Sequence, residues 1–246
     1  MHRFFIPQPF AGEMKISGMN AHHIIHVLRL RPGDRIQVVA DDGVSFVGEI
    51  CKLGENQVSV RALEILRDSG EPTVQIFLLQ GLAKGDKMDT VIQKAVEIGV
   101  TAIYPVAMAH SVVLLDAARA AKKTERWQKI AEAAAKQSKR DLVPTVHPVM
   151  KLPEALAATG AELILAAYES ETRLGLKEAL QAHKEAKRIA VIIGPEGGLA
   201  GEEIATVREA GGLSVSLGRR ILRTETAGLV AAAAILYETD NLGSAR

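Results

Sequence analysis

Two glycine-containing stretches in the C-terminal half combine residue types that could bind a purine or an anion. The first, VIIGPEGGLAGEEI, ends an apolar run at Ile193 and continues with three glycines in five residues. Glycine tolerates positive φ and lets a ligand approach the backbone closely. The second, SLGRRILRTETAGL, sets three arginines around Ile221 and Leu222 and then runs into alanines. Arginines beside apolar residues in a turn indicate a loop built around a ligand, since neither a surface loop nor a core strand needs both.

Neither stretch matches an established nucleotide-binding fingerprint. GPEGG is not the G-x-G-x-x-G of dinucleotide-binding proteins, and no G-x-x-x-x-G-K-[ST] phosphate loop follows a strand. This disfavours a nicotinamide enzyme of the Rossmann type. A glycine-rich turn between a strand and a helix is structural as often as functional, so the motif alone leaves both interpretations open.

The elements around these stretches predict an α/β domain. From Val74 onward, apolar strands alternate with helical patterns, which is typical of a mainly parallel sheet. One helix should begin near Gly201, and Thr224 should cap another that starts at Glu225. Both glycine stretches follow strands in the same sense, so both loops should lie at the same edge of the sheet, where such sheets bind ligands.

The first seventy residues differ from the rest. Three strands are predicted near residues 35–40, 44–51 and 57–65, joined by tight turns, in a small antiparallel barrel or sheet. A short helix should begin at about Ala21 with Asn20 as its N-cap. The polar stretch RDSGEPT, residues 67–73, is the predicted boundary, which gives domains 1–70 and 74–246.

Charge is concentrated in a predicted helix, residues 117–140. Eight lysines and arginines against two glutamates give this segment a net charge of +6, whereas the whole chain carries +1. Such a run is usually a solvated helix face. However, Trp127 lies within this segment, so contact with an anion or nucleic acid is as well supported as a solvated face.

Composition restricts the class of protein. The 246 residues are 48% hydrophobic and 24% charged, which predicts a soluble globular protein. No signal peptide is evident, and the longest apolar run, residues 229–237, is too short to cross a bilayer. The single cysteine, Cys51, fits a reducing cytoplasm and is predicted to be a buried strand residue. His22 and His26 have metal-ligand spacing but lack a third ligand, so no metal is predicted. His110, His147 and His183 are expected to be ordinary loop or surface residues.

Taken together, the motifs resemble the RsmE family of SPOUT-class methyltransferases. The likeness is carried by VIIGPEGGLAGEEI, LGRRILRTETA, KGDKMDTVIQKAVEIGV, WQKIAEAAAKQSKRDLVP and HHIIHVLRLRPGD, and it covers nearly the whole chain. It implies an N-terminal β-barrel similar to the PUA RNA-binding domain and an α/β domain with a deep trefoil knot. It also implies a homodimer that binds S-adenosylmethionine and methylates N3 of uridine 1498 in 16S rRNA of the 30S subunit.

The resemblance also implies site residues. Catalysis would use Arg223 or Arg140 to stabilise the uracil anion and Glu225 as a proton acceptor. The cofactor pocket would comprise Leu165, Ala166, Ala167, Ile193, Gly194, Pro195, Glu196, Gly197, Gly198, Leu217, Gly218, Ile221, Leu222, Arg223, Thr224, Thr226 and Ala227. RNA would contact Arg3, His23, Arg29, Arg31, Arg35, Lys84, Lys87, Lys94, Arg126, Lys129, Lys136, Lys139 and Arg140.

Three alternatives stay open at this point. The helix ETAGLVAAAAILYE is apolar nearly all round, so it is either packed in the core or part of a dimer interface. A protein of the same class could methylate another RNA site, such as a ribose 2′-hydroxyl. A non-catalytic RNA-binding assembly factor is the third alternative, and the intact glycines of GPEGG count against it.

Overall fold

The computed structural model describes residues 1–66, 70–113 and 115–243, and these divide into two compact units. The first comprises Met1–Glu71 and Lys139–Leu142, and the second comprises Pro72–Ser138 and Val143–Arg246. The predicted boundary, residues 67–73, lies partly outside the described residues, because positions 67–69 are not included.

The first unit is built on a five-stranded sheet. Its strand order is β1 (Arg3–Phe5), β3 (Arg35–Val39), β4 (Ser45–Leu53), β5 (Gln57–Leu66) and β2 (Glu13–Ser17). Only the β1–β3 pair is parallel. Register shifts after Val47 and Ile50 curl the long β4–β5 ribbon, and the sheet closes over the buried side chains of Ile24, Ile36 and Phe46.

Three predicted strands of this unit are confirmed, and three details are wrong. The helix begins earlier than expected, as α1 (Gly18–His22) followed by a π-helical turn (His23–Val27). Asn20 does not cap it: its side-chain amide donates to the Phe5 carbonyl oxygen at 2.6 Å. Cys51 lies in β4 as predicted, but its side chain is exposed because it points away from the core.

The second unit is a parallel sheet with helices on both faces. Its main strand order is β12 (Leu213–Val215), β10 (Leu163–Ala167), β11 (Arg188–Ile193), β6 (Gln75–Gly81), β7 (Ala102–Ala107) and β8 (Thr145–Val146), and β9 (Met150–Lys151) also pairs with β7. The helices are α2 (Lys87–Ile98), α3 (Ala117–Ser138), α4 (Leu152–Thr159), α5 (Leu176–Ala182), α6 (Gly201–Glu209) and α7 (Thr224–Glu238). The predicted α/β alternation is confirmed, although β8, β9 and α4 were not predicted.

Helix α7 returns the chain from the edge strand β12 to the middle of the sheet, where it packs on α2, α5, β6 and β11. Gly228 allows this close approach, since a Cβ there would lie 3.1 Å from Leu78 Cδ1. The helix begins at Thr224, with Arg223 as its N-cap residue. Thr224 is therefore not the predicted cap. Its hydroxyl instead donates to the Gly194 carbonyl oxygen at 2.6 Å.

Candidate active site

A cavity of about 720 Å³ lies where strands β10, β11 and β12 end. The carboxyl ends of parallel strands are the usual ligand position in such sheets. Three segments form its walls: the residues after β10, the loop after β11, and the connection from β12 to α7. The lining residues are Lys87, Ala167, Tyr168, Glu169, Glu171, Thr172, Ile193, Gly194, Pro195, Glu196, Gly198, Leu199, Ser216, Leu217, Gly218, Arg219, Arg220, Ile221, Leu222, Arg223, Thr224 and Ala227.

The loop after β11, residues 194–198, has little freedom. A Cβ on Gly194 would lie 2.6 Å from the Gly198 carbonyl carbon and 2.8 Å from the Leu199 nitrogen. Gly198 has φ +73° and donates its N–H to the Pro195 carbonyl oxygen at 2.9 Å. Below the loop, a Cβ on Gly81 would lie 2.6 Å from the Pro195 nitrogen. Close packing thus requires glycine at positions 194 and 81, positive φ favours it at position 198, and together they fix the path of the loop.

The carboxylate of Glu196 is held in place by two donors. Its Oε1 accepts hydrogen bonds from Lys87 Nζ at 2.8 Å and from the Lys84 backbone N–H at 3.0 Å. Partial burial acts to raise the pKa of Glu196, but these hydrogen bonds outweigh it, so that the pKa lies below its usual value. The hydrogen bond to Glu196 correspondingly raises the pKa of Lys87. Both groups therefore stay charged at neutral pH.

Lys87 also approaches a second carboxylate. Its Nζ lies 3.6 Å from Glu225 Oε2, on the first turn of α7. That oxygen is buried and accepts no hydrogen bond from the part of the chain that the structure describes. Glu225 thus has a cationic neighbour and a carboxylate oxygen with spare capacity to accept a hydrogen bond.

The connection from β12 to α7 is open. It is anchored at its start, where Ser216 exchanges backbone hydrogen bonds with Leu174 and Leu176 at 2.9 and 3.0 Å. Gly218 then turns with φ +106°, and a Cβ there would meet nothing within 4 Å. Further on, the residue Ile221 is 85% exposed. The segment therefore leaves its side chains accessible above the cavity.

The three arginines of this connection are exposed. None of the ion pairs among residues 1–66, 70–113 and 115–243 includes Arg219, Arg220 or Arg223. Guanidinium groups without a protein partner are well suited to phosphate or to a developing negative charge.

Glu171 closes the opposite side of the cavity. Its carboxylate accepts the Ser214 hydroxyl at 2.6 Å and the Arg173 backbone N–H at 2.8 Å. These hydrogen bonds, from Ser214 first, lower the pKa of Glu171 to about 2. Because its oxygens are already engaged, Glu171 serves to hold the segment after β10 against β12.

Most of the residues predicted to bind the cofactor line this cavity. The exceptions are four. Leu165 and Ala166 are buried inside the sheet, and Thr226 is exposed on α7. Gly197 faces away from the cavity lining, and a Cβ there would lie 2.7 Å from His110 Cβ. His110 is an exposed turn residue, as predicted; it packs on this loop, and its Nδ1 lies 3.3 Å from the Gly198 carbonyl oxygen.

The three predicted catalytic residues differ in their position relative to the cavity lining. Arg223 lines the cavity, and Glu225 is connected to it through Lys87. Arg140 is not among the lining residues. It belongs to the first unit, where it is buried and its Nε donates to Glu71 Oε2 at 3.1 Å. Of the two arginines predicted as alternatives for the catalytic role, Arg223 is therefore the one that lines the cavity, and Arg140 is paired with Glu71.

The sequence of both units matches models of RNA methyltransferases. Residues 70–236 match an RNA methyltransferase domain, and residues 16–63 match an RNA methyltransferase PUA domain. The chain belongs to this RNA methyltransferase family. It is a methyltransferase by that membership, with a PUA-like first unit and a SPOUT-type, trefoil-knot second unit.

Two curated relatives in the family carry the same name, Ribosomal RNA small subunit methyltransferase E. The Bacillus subtilis protein is 37% identical over 94% of this chain and 93% of its own length. The Mycobacterium tuberculosis protein is 32% identical over 89% and 84%. Among solved structures, the enzyme of this name from Neisseria gonorrhoeae, bound to S-adenosyl methionine, is 33% identical with a TM-score of 0.78, over 96% of this chain and 97% of that one.

The basic residues predicted to bind RNA differ in whether they have an acidic partner. Several of those predicted to bind RNA are already engaged. Arg3 pairs with Asp141, and burial lowers its pKa; the others form the pairs Lys87–Glu196, Lys94–Glu97, Arg126–Asp89 and Lys129–Glu125. The side chains that take part in no ion pair within the described ranges are Arg29, Arg31, Arg35, Lys84, Lys136 and Lys139.

Trp127 and the pair of His22 and His26 contact neighbouring side chains. Trp127 is 2% exposed and donates its indole N–H to Asp89 at 3.2 Å, so it anchors α3 on α2 and offers no face to a base. The His22 and His26 rings lie 4.7 Å apart. No group of three or more potential metal ligands occurs among the residues the structure describes. Likewise, none of the helices in those ranges is both long and apolar enough to cross a membrane.

Some residues of the cavity were not predicted for it. Lys87 was assigned to RNA phosphates, yet it lies between Glu196 and Glu225. Its motif, KGDKMD, follows β6, which ends at the same sheet edge as β11, so strand order could have brought it to the site. Leu199 and Ser216 lie within the two glycine-containing stretches, whereas Glu171 carries no such signal, because its contact with Ser214 comes from a segment distant in sequence.

Proposed function

We propose that this chain transfers the methyl group of S-adenosylmethionine to N3 of uridine 1498 in 16S rRNA of the small ribosomal subunit. The observation that carries the proposal is one cavity lined by a closely packed glycine loop, residues 194–198, and an arginine-rich loop, residues 217–223. The first suits a planar ring that is read through backbone groups, and the second suits an anionic polymer. The names of the relatives support the choice of substrate.

The cavity residues fit S-adenosylmethionine. Its volume of about 720 Å³ is in the range of small-molecule sites. A Cβ at Gly218 would meet nothing within 4 Å, and one at Gly198 would come no closer than 4.0 Å to Glu169 Oε1. Space is thus open in front of both backbones for a flat ring. Ile193 and Leu222 offer apolar contact to its faces, and the exposed carboxylate of Glu169 suits the positive charge of the ligand.

When bound, S-adenosylmethionine supplies a sulfonium methyl group that a nucleophile displaces in line. Uracil N3 carries a proton, so the N3–H bond must break as the N3–C bond forms and the C–S bond breaks. We assign that proton to the Glu225 carboxylate, which has a buried oxygen without a hydrogen-bond donor in the described ranges. Lys87 Nζ lies 3.6 Å from that carboxylate and is part of the same group of charges.

Arg223 is assigned the complementary electrostatic role. Loss of the N3 proton spreads negative charge onto the uracil carbonyl oxygens, and a guanidinium beside them stabilises the transition state. Arg223 lines the cavity, is exposed, and directly precedes α7. Glu171 and Glu196 are less suited to accept the proton than Glu225, because their carboxylates are already hydrogen-bonded.

Binding of rRNA falls to the basic side chains that lack an acidic partner. Changing Lys136 and Lys139 to glutamate should weaken rRNA binding and flatten its dependence on salt, by about one unit of slope for each phosphate that is no longer neutralised. S-adenosylmethionine affinity should stay unchanged. Lys129→Ala is the matched control, because Lys129 pairs with Glu125 at 2.6 Å. An unchanged salt slope in the double variant would remove α3 from the RNA surface.

We also propose that two copies of the chain associate through α7. Val230 and Tyr237 are 41% and 69% exposed, and their spacing of seven residues sets them on one face of α7. Val230→Glu should halve the molar mass measured by light scattering, whereas Val112→Glu, at an exposed loop residue, should not. If Val230→Glu remains a dimer, the interface lies elsewhere on the chain.

We also propose a cytoplasmic location, because the proposed substrate is rRNA.

The function is tested by mapping methylated nucleosides in small-subunit rRNA from cells with and without this chain. Loss of 3-methyluridine in the deletion strain, and its return with the intact gene but not with a Gly194→Ala variant, is the expected result. A lost ribose 2′-O-methyl group would establish the alternative reaction. An unchanged methylation pattern would indicate a binding protein without this activity.

A further inference from the structure

Gln80 is a buried polar residue that the proposed reaction does not use. It lies near the end of β6, in the apolar run QIFLLQG, and is 0% exposed. An amide removed from water is unfavourable unless it is hydrogen-bonded. Its Nε2 donates to Thr224 Oγ1 at 2.9 Å and to the Gly81 carbonyl oxygen at 3.2 Å.

The direction of this hydrogen-bond chain follows from its members. The Thr224 hydroxyl has one proton, and it lies 2.6 Å from the Gly194 carbonyl oxygen, which can only accept. Thr224 must therefore accept from its other neighbour, so the amide of Gln80 presents its nitrogen. The Gly81 carbonyl oxygen can likewise only accept, so it also requires the nitrogen of the Gln80 amide. Two independent acceptors thus fix the orientation of Gln80.

This series of hydrogen bonds joins β6 to two of the segments that line the cavity. Gln80 belongs to β6, Gly194 starts the loop after β11, and Thr224 starts α7. Parallel pairing sets Gln80 opposite Ile193, directly beneath that loop. Thr224 is 6% exposed, so water is largely kept from the chain.

We infer that Gln80 is a positioning residue for methyl transfer, acting through Thr224. One hydrogen bond of Thr224 holds the loop proposed to bind S-adenosylmethionine, and its neighbours Arg223 and Glu225 are proposed to act on uracil. Gln80 fixes Thr224 and so sets the distance and angle between the two reactants. This inference rests on the proposed function. It also changes the predicted role of Thr224, from a cofactor ligand to the link between the two binding regions.

In-line displacement is sensitive to such alignment, and a displacement of about 1 Å can reduce the rate about 100-fold. Removing the link should therefore lower kcat more than it weakens cofactor binding. Gln80→Met keeps the length of the side chain without its donor, and Thr224→Val keeps the shape without the hydroxyl. Each should lower kcat for rRNA methylation by about 100-fold and weaken S-adenosylmethionine binding by about tenfold.

A double-mutant cycle separates positioning from general loss of stability. If Gln80 acts through Thr224, the double variant should be no worse than either single variant. Thr224→Ser, which keeps the hydroxyl, should recover most of the loss. Thr159→Val is the matched control: Thr159 is 0% exposed, and its hydroxyl donates to the Leu156 carbonyl at 2.8 Å, away from the cavity. It should lower the melting temperature without changing kcat.

The two hypotheses fail in different ways. If intact protein does not methylate rRNA, the proposed function fails, and the cycle is then judged on S-adenosylmethionine affinity measured by calorimetry. Effects of Gln80→Met and Thr224→Val that multiply, or that match those of Thr159→Val, would overturn the positioning role. Equal losses in the single and double variants, with recovery in Thr224→Ser, would support it.

Discussion

The two loops that meet at the cavity differ in how they are held. Residues 194–198 are fixed by close backbone packing, by the Thr224 hydroxyl, and by Lys87 on Glu196. Residues 217–223 are hydrogen-bonded at their two ends, where the Gly218 N–H donates to Ser216 Oγ at 3.2 Å and the Arg223 carbonyl oxygen accepts from the Ala227 N–H at 2.9 Å. The arginines of this segment are exposed. One side of the site is therefore predetermined in shape, and the other can adapt to what approaches it.

This difference matches the two ligands proposed. A small cofactor of constant shape is bound best by a preformed surface, because little ordering is needed on binding. A folded rRNA segment is larger and approaches from solvent, so long cationic side chains without fixed partners can adjust to its phosphates. The contrast predicts that substitutions in the first loop affect the cofactor, and that those in the second affect the RNA.

The largest effect is expected at Gly194. A Cβ there would overlap the Gly198 and Leu199 backbone at 2.6 and 2.8 Å, so Gly194→Ala must move the loop. Overpacking of this kind costs up to about 3 kcal/mol, or about 100-fold in S-adenosylmethionine affinity by calorimetry. Gly201→Ala is the control, because a Cβ there meets nothing within 4 Å. Normal cofactor binding by Gly194→Ala would mean that this loop is not the fixed side.

At the junction of the two loops, Arg223→Ala should lower turnover by about 100-fold, since one electrostatic stabiliser of the transition state is removed. S-adenosylmethionine affinity should change little, because the fixed loop is intact. Single-turnover methylation and calorimetry measure the two quantities. Arg173→Ala, at an exposed arginine outside the cavity lining, controls for the loss of charge. Equal losses in both measurements would make Arg223 a cofactor ligand.

Smaller effects are expected at Arg219 and Arg220, in the adaptable loop. Each change to alanine should reduce the slope of rRNA affinity against salt by about one, because one phosphate fewer is neutralised. Lys184→Ala, which precedes the opposite end of β11, should leave the slope unchanged. If Arg219→Ala alters cofactor affinity and leaves the salt slope intact, the division of labour between the loops is wrong.

The smallest effect concerns pH. The pKa of Glu171 falls from 4.5 to about 2 on folding, so its ionised carboxylate stabilises the fold above pH 4.5, and this contribution is lost as pH falls toward 2. In urea unfolding, the free energy of unfolding of the wild type should exceed that of Glu171→Gln by a constant amount above pH 4.5. Below pH 4.5 the difference should become smaller. Glu169→Gln provides the comparison. A difference independent of pH between 4.5 and 2 would contradict this anchoring role.

Local sequence patterns were sufficient for the architecture, since alternating strands and helices specify a parallel sheet wherever the apolar runs are long. They failed for short elements: β8 and β9 have two residues each, too few for a period to be visible. The knot could be expected only from the family resemblance, because chain threading leaves no mark on local periodicity.

The site was predictable to the extent that it consists of backbone loops. Glycines mark the loop after β11 directly, but side-chain partners depend on which segments meet. Thr224 is a residue type that often caps helices, yet its hydroxyl donates a hydrogen bond to the carbonyl oxygen of Gly194, thirty residues away. Arg140 was assigned by type alone, and its pairing with Glu71 could not be inferred from charge patterns. Pairings between segments distant in sequence set these roles.

The hydrogen bond between Gln80 and Thr224 also has a consequence for how the protein is made. The two residues are 144 positions apart, so at roughly 5–20 residues per second Gln80 is synthesised roughly 7–30 s before its partner exists. During that interval the Gln80 amide has the neighbouring Gly81 carbonyl oxygen and water as partners, but its hydrogen bond to Thr224 cannot form. The nascent chain should therefore acquire its cofactor affinity late, when α7 docks, and a ribosome-bound chain arrested before residue 224 should not bind S-adenosylmethionine.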